Sequence, residues 1–196
     1  MLPANELNHY ITNMPESPYH QEYRKAARNF QLKKFGCVCS ALSSIAQVPL
    51  TTEQEEMRMA QIFEYEEAKR RIFHLEFTQE VESFELQQLH KELRTLNDVQ
   101  IMTFISTIQG QSETPAGNQL SRMEVRRLEL SPKDIRRFCD EGSQVMISCV
   151  LNNNGHAMHV EPKGRKFIEV SGNRQEIKLD NKKYPAFVFT PSCRKK

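Results

Sequence analysis

The sequence predicts an α+β domain in which helices come first along the chain and an antiparallel sheet follows. Three observations support this prediction. Apolar residues recur at helical spacing through much of the range 37–97. Strand-like runs then follow at 144–151, 156–161 and 166–171, with a fourth at 184–189. Short turns join the first three runs, and strands connected in this way pair antiparallel.

A helix is predicted over 37–46, and it ends before Pro49, which cannot continue a helix. The prediction rests on four apolar residues at helical spacing: Cys37, Ala41, Leu42 and Ile45.

Two long, charged helices are predicted next. Thr52, followed three residues later by Glu55, has the form of a capping box and opens a helical region at 51–97. A second helix near 83–96 carries a stripe of four leucines: Leu86, Leu89, Leu93 and Leu96. Such stripes indicate packing between helices or on the domain, rather than cofactor binding.

The region between the helices and the strands is less uniform. Residues 99–108 are apolar and fit either a helix or a strand, whereas 109–121 are rich in turn-forming residues and predict a loop. Ser131 before Pro132 predicts the start of another helix, and Gly142 predicts its end.

Length and composition fit one globular domain over 1–196, with the helical region 51–97 as an insertion. The chain has 196 residues, of which 38% are hydrophobic and 27% charged, enough to bury a core. The net charge is +2 and basic residues are mixed with acidic ones, so nucleic-acid binding is not indicated. No run approaches about 18 apolar residues, so we expect no membrane span.

The cysteines indicate a reducing compartment. The chain has five, an odd number that does not make a dense disulfide framework. The N-terminus lacks a basic segment followed by an apolar run, so we expect no cleavable secretory signal. We therefore expect reduced thiols and a cytosolic site of action. We also expect a monomeric protein.

Cys37 and Cys39 are candidate nucleophiles because they lie at the start of a predicted helix. A helix N-terminus and a nearby imidazole both lower the pKa of a thiol. Gly36, just before them, permits a close backbone approach. The alternative is that both cysteines are small buried residues, as free cysteines often are.

His156 is the candidate base because it follows a turn and begins a strand, where an imidazole can face a cleft. His159 is three residues further along. Since odd spacing in a strand places two side chains on opposite faces, only one of these histidines can serve a given site. We expect His159 to be structural or exposed.

The base needs a partner that orients its ring. A hairpin centred on Lys163-Gly164 places His156 opposite Ser171 and puts Glu169 on the same face. Glu169 is the preferred partner because a carboxylate holds the tautomer and stabilises imidazolium. Ser171 and Asn173 are the alternatives.

An oxyanion hole requires hydrogen-bond donors near the nucleophile. The backbone N–H of the nucleophile is one donor, and the side-chain amide of Gln31, six residues before Cys37, could supply another.

A zinc site is the competing chemistry. Two thiolates from Cys37-x-Cys39 and two imidazoles from His156-x-x-His159 form an acceptable ligand set. Strand alternation should separate the two histidines, and the cysteine spacing is tighter than usual. We therefore expect neither a metal nor a cofactor.

Two segments of the chain, roughly 30–48 and 143–172, resemble the papain-like superfamily, and in particular its small bacterial effectors and toxins. The residues that carry the resemblance are Gly36-Cys37-Val38-Cys39-Ser40-Ala41-Leu42, Gly155-His156-Ala157 and Phe167-Ile168-Glu169-Val170. The pattern is a catalytic Cys at a helix start with Ala-Leu a turn later, a His on a late strand and an Asp, Asn or Glu on the next. The family usually has Asp or Asn at the third position.

The resemblance implies catalytic roles for Cys37, His156 and Glu169, with Gln31 completing the oxyanion hole. Alignment on Gln31 and the Ala-Leu spacing selects Cys37, whereas alignment on the Cys-x-Ala pattern of papain itself selects Cys39.

The resemblance also implies a fold and an activity. The fold is papain-like, with an N-terminal catalytic helix and a C-terminal antiparallel sheet. The activity is that of a cysteine protease acting on a host protein, after delivery into the host cytosol by a specialised secretion system. A protein glutamine deamidase or transglutaminase of the same fold is the alternative, as is a non-catalytic adaptor.

Overall fold

The computed structural model describes residues 36–78, 83–151 and 154–192. Helices come first: α1 (Cys37–Ala46), α2 (Thr52–Thr78), α3 (Ser83–Gly110) and α4 (Pro115–Leu120). Strand β1 (Met123–Leu130) and helix α5 (Pro132–Asp140) follow, and then β2 (Gln144–Leu151), β3 (Asn154–Lys163), β4 (Lys166–Glu169), β5 (Glu176–Ile177) and β6 (Tyr184–Pro191). This mixture of helices and antiparallel sheet confirms the predicted α+β class.

The chain divides into two compact units. A helical unit holds the described residues of 56–104, and a sheet unit holds those of 33–55 and 105–196. Cys37, His156 and Glu169 all belong to the sheet unit.

In the helical unit, α2 and α3 contact each other through apolar side chains. Ala68 of α2 is buried together with Leu89, Leu93 and Leu96 of α3. The leucine stripe therefore packs one helix on the other, as predicted; the side chain of Leu86 lies outside the described residues.

The start of α2 differs from the prediction by one residue. Thr51 and Gln54 form the reciprocal cap: the Gln54 N–H donates to Thr51 Oγ1 (3.2 Å), and the Thr51 N–H donates to Gln54 Oε1 (2.9 Å). The predicted pair Thr52–Glu55 was wrong. Because the Gln54 side chain also reaches Gln111 (2.7 Å), the choice of cap depends on a residue distant in sequence.

Residues 99–108 are helical, as part of α3, and the predicted loop at 109–121 contains helix α4. Thr114 precedes Pro115, and its side chain accepts a hydrogen bond from the Gly117 N–H. The loop prediction was wrong because a threonine cap followed by proline starts a helix even in a turn-rich segment.

The described strands form a six-stranded antiparallel sheet in the order β1-β6-β2-β3-β4-β5. Strand β1 was not predicted; it lies at an edge of the sheet and carries four charged residues, Glu124, Arg126, Arg127 and Glu129. It pairs with β6 over its whole length, from Met123 opposite Pro191 to Leu130 opposite Tyr184. A strand that depends on a partner about 60 residues away gives little local signal.

The β3–β4 hairpin turns one residue later than predicted. Lys163 pairs with Lys166, so the turn is Gly164-Arg165, and Gly164 has a positive φ of 59°. The predicted centre at Lys163-Gly164 was wrong, as was the placement of His156 opposite Ser171. Since moving a turn by one residue shifts the register by two, the predicted faces of the side chains are unchanged.

A different helix packs on each face of the sheet. Helix α5 covers one face, where Ile135 packs with Val145, Ile147, Met158 and Val160. A capping box of Ser131 and Asp134 starts α5, and Gly142 follows its end, as predicted. Helix α1 packs on β3 from the other face, where Ser44 contacts His159.

We predict that Gly117→Ala destabilises the protein by roughly 3 kcal/mol, because α4 approaches the end of α3 too closely for a side chain. A Cβ at position 117 would lie 1.9 Å from the carbonyl oxygen of Gln111. Gly110→Ala is the matched control, since nothing lies within 4 Å of its Cβ position. Urea unfolding of both variants tests this, and equal stabilities would contradict it.

Candidate active site

Helix α1 presents Cys37 at its first position. Gly36 is the N-cap, and no described side chain forms a capping hydrogen bond at this end of the helix. The Cys37 side chain is half-buried, whereas Cys39 is buried with 7% of its surface exposed. A helix N-terminus with a partly exposed thiol is a suitable environment for a nucleophile.

The structure brings His156 and Glu169 together. Nε2 of His156 lies 2.8 Å from Oε1 of Glu169, and the side chains are 30% and 15% exposed. Because a carboxylate only accepts hydrogen bonds, this contact places the proton on Nε2 and leaves the lone pair on Nδ1. Within the described residues, Nδ1 has no hydrogen-bond partner. It is therefore the ring nitrogen able to take a proton from a nucleophile.

A tight turn after β4 holds the Glu169 carboxylate. Glu169 is the last residue of the strand, and its N–H donates to the carbonyl of Gln175 (3.0 Å), which closes the turn. Gly172 lies against the carboxylate: a Cβ there would be 2.9 Å from Cδ of Glu169. Gly172 was not predicted as part of the site, although a glycine shortly after a candidate carboxylate was an available signal.

Cys149 is a second neighbour of the site that the sequence analysis missed. It pairs with His156 across β2 and β3. Burial raises the pKa of its thiol, and the negative charge of Glu169 adds to the effect, while Lys182 opposes it. Cys149 therefore stays protonated and is a poor nucleophile.

Cys37 lies at the same end of the sheet as His156. A thiolate at Cys37 is close enough to Cys149 to raise the pKa of that thiol, and Cys149 is the cross-strand partner of His156. In the described chain, no hydrogen bond joins the Cys37 sulfur to His156. Such contacts are often long before substrate binds.

His159 faces away from His156, as strand alternation predicted. Its Nδ1 is hydrogen-bonded to Oγ of Ser44 at 2.7 Å, and only 2% of the side chain is exposed. Burial lowers the pKa of His159 to about 4, so the ring is neutral at pH 7. Glu161 lies 4.0 Å from Nε2, too far for a hydrogen bond.

The alternative partners of His156 occupy other positions. Ser171 Oγ accepts a hydrogen bond from the backbone N–H of His159 (3.0 Å), and Asn173 is exposed. Gln31, the candidate oxyanion donor, lies outside the described residues.

The described part of the chain contains no group of three or more His, Cys, Asp or Glu side chains that could hold a metal ion. The zinc alternative needs His156 and His159 in one site, and their rings instead contact Glu169 and Ser44. No helix within 36–78, 83–151 and 154–192 has the length and apolar character to cross a membrane.

Comparison with protein-family models, curated proteins and solved structures finds no match to the chain.

We predict that the free energy of unfolding falls by up to about 3 kcal/mol between pH 7 and pH 4 because of His159. Its pKa is about 4 in the folded protein and about 6.5 in an unfolded chain, so the unfolded state binds the proton first. This stabilisation is complete above pH 6.5 and is lost as the pH falls.

The matched control is His159→Asn, which keeps a polar group near Ser44 but does not titrate. The stability difference between wild type and this variant should narrow below pH 6.5 in urea unfolding. If the free energies of unfolding of wild type and His159→Asn change in parallel from pH 7 to pH 4, His159 is not buried in its neutral form.

Proposed function

We propose that the protein is a thiol-dependent hydrolase acting on a protein substrate, with Cys37 as nucleophile, His156 as general base and Glu169 as the residue that orients His156. The observation that carries this proposal is the 2.8 Å contact between Nε2 of His156 and the Glu169 carboxylate, which leaves Nδ1 free. Helix α1 packs on the face of β3 opposite to His156, and Cys37, at the start of α1, lies near Cys149, the cross-strand partner of His156.

The first half of the reaction forms a thioester. His156 takes the thiol proton on Nδ1, and the Cys37 thiolate attacks the carbonyl carbon of the substrate. The oxyanion that develops accepts a hydrogen bond from the backbone N–H of Cys37, at the start of α1. The imidazolium then donates its proton to the departing amine as the carbon–nitrogen bond breaks.

The second half releases the product. His156, again neutral, takes a proton from water, and the resulting hydroxide attacks the thioester carbon. The carbon–sulfur bond breaks, and the proton returns from the imidazolium to Cys37. Glu169 accepts the hydrogen bond from Nε2–H throughout, which orients the ring and stabilises the imidazolium.

Exposure favours Cys37 over Cys39 as the nucleophile. The Cys39 side chain is buried, whereas Cys37 is half-buried and begins the helix. A nucleophile must reach a substrate carbonyl, and a partly exposed thiol does so without opening the core.

Proteolysis is the activity we propose, on a host protein and in a cytosol. Deamidation of a glutamine side chain uses the same steps with ammonia as the leaving group, and transglutamination uses an amine in place of water.

We predict that Cys37 reacts with iodoacetamide at pH 6 at least about tenfold faster than an ordinary thiol, because Nδ1 of His156 accepts the thiol proton as the sulfur attacks the reagent. His156→Ala should remove this advantage. Peptide mass spectrometry after brief alkylation reads each cysteine separately, and Cys149 and Cys139, whose pKa values are raised by burial, are internal controls. Faster labelling of Cys39 would show that the wrong thiol was chosen.

We predict that Cys37→Ala abolishes the modification of substrate proteins, while Cys149→Ala, a matched change of a neighbouring thiol, leaves it in place. Mass spectrometry of candidate substrates incubated with each variant checks this. New termini indicate proteolysis, and a shift of about +1 Da at a glutamine indicates deamidation. Full modification by Cys37→Ala would exclude the proposed nucleophile.

We predict that Glu169→Gln lowers the rate of substrate modification on the order of 10²-fold without abolishing it, within the range expected for weakened general acid–base catalysis. A glutamine fills the same space but does not stabilise the imidazolium. Glu176→Gln is the control, since this exposed carboxylate pairs with Lys166 (3.0 Å) outside the site. Equal losses in both variants would argue against a role for Glu169.

A further inference from the structure

We propose that His159 is a positioning residue: through its hydrogen bond to Ser44, it fixes helix α1, and with it Cys37, relative to the strand that carries His156. This inference rests on the function proposed above.

The contacts of His159 join the three elements that carry the site. Its side chain binds Ser44 of α1 at 2.7 Å. Its own strand, β3, carries His156 three residues earlier. Its backbone carbonyl accepts a hydrogen bond from the Val170 N–H (2.8 Å), and its N–H donates to Ser171 Oγ (3.0 Å), in the two residues that follow Glu169.

The rise per residue of a helix and of a strand gives the distances from the Ser44–His159 contact to Cys37 and His156. Cys37 precedes Ser44 by seven residues, which is two helical turns, so both lie on one side of α1, about 10 Å apart. His156 precedes His159 by three residues, also about 10 Å in a strand. Cys37 and His156 are therefore each about 10 Å from this contact along their own elements, toward the end of the sheet where Cys149 lies near both, with His156 on the face of β3 opposite to α1.

The buried hydrogen bond between His159 and Ser44 restricts the position of helix α1 more strictly than apolar packing does. Apolar surfaces such as those around Leu42 and Ile45 tolerate small sliding movements, whereas a buried hydrogen bond is satisfied in only one register. Within the described chain, Nε2 of His159 has no hydrogen-bond partner, so the buried ring forgoes one hydrogen bond. An apolar residue would fill this space at lower cost but would not fix the helix.

The test measures Cys37 alkylation by iodoacetamide from pH 5 to pH 10 in wild type, His159→Leu, His159→Asn and Ser44→Ala, read by peptide mass spectrometry. We expect His159→Leu and Ser44→Ala to slow the alkylation of Cys37 at pH 6 at least about tenfold, because the thiol is no longer held in place relative to His156. His159→Asn, which keeps a polar group near Ser44, should restore much of the wild-type rate.

Circular dichroism and thermal unfolding of each variant separate positioning from folding. Ser44→Ala removes only a hydroxyl, so it tests the same hydrogen bond even if His159→Leu fails to fold. A lower melting temperature with an unchanged Cys37 profile in folded variants would mean a structural role alone and would overturn the proposal.

His156→Ala distinguishes this inference from the function beneath it. If His156→Ala slows the alkylation of Cys37 but Ser44→Ala and folded His159→Leu do not, the positioning role is wrong. The proposed pairing of Cys37 with His156 is then still supported. If His156→Ala leaves the Cys37 profile unchanged, the proposed function is wrong and the positioning role is wrong with it.

Discussion

The two-residue alternation of strand β3 is the constraint on which the rest of the sheet unit depends. It sends Met158 and Val160 into the core beneath α5 and His159 to the opposite face, against α1. His156 pairs with Cys149 and meets Glu169, on the face of Met158. A shift of one residue in register would exchange these environments, placing an imidazole in an apolar core and a methionine against Ser44.

Much of the fold could be predicted because its signals are local. The Ser131–Pro132 start of α5 and the apolar runs of β2 and β3 formed as expected. The errors occurred where distant residues decide the structure. Gln54 selects the cap of α2 while it bonds to Gln111, and β1 becomes a strand only beside β6.

For the candidate site, residue types and strand alternation could be predicted, but the surrounding contacts could not. The pairing of His156 with Glu169 followed from placing both on one face, a prediction unaffected by the wrong turn centre. Cys149 and Ser44 left no comparable pattern in the sequence, and the only signal for Gly172 was a glycine shortly after the candidate carboxylate. Each is near the site only because an antiparallel ladder, a closed turn or a packed helix brings it there.

The β3–β4 register also determines how long the acidic side chain must be. Glu169 lies opposite Val160, four residues from His156, a separation of about 13 Å along the strand. The glutamate and the imidazole must both extend toward each other to close that gap to 2.8 Å. An aspartate at position 169 would fall short of the imidazole by about one carbon–carbon bond. The β3–β4 register therefore favours glutamate over aspartate for this contact with His156.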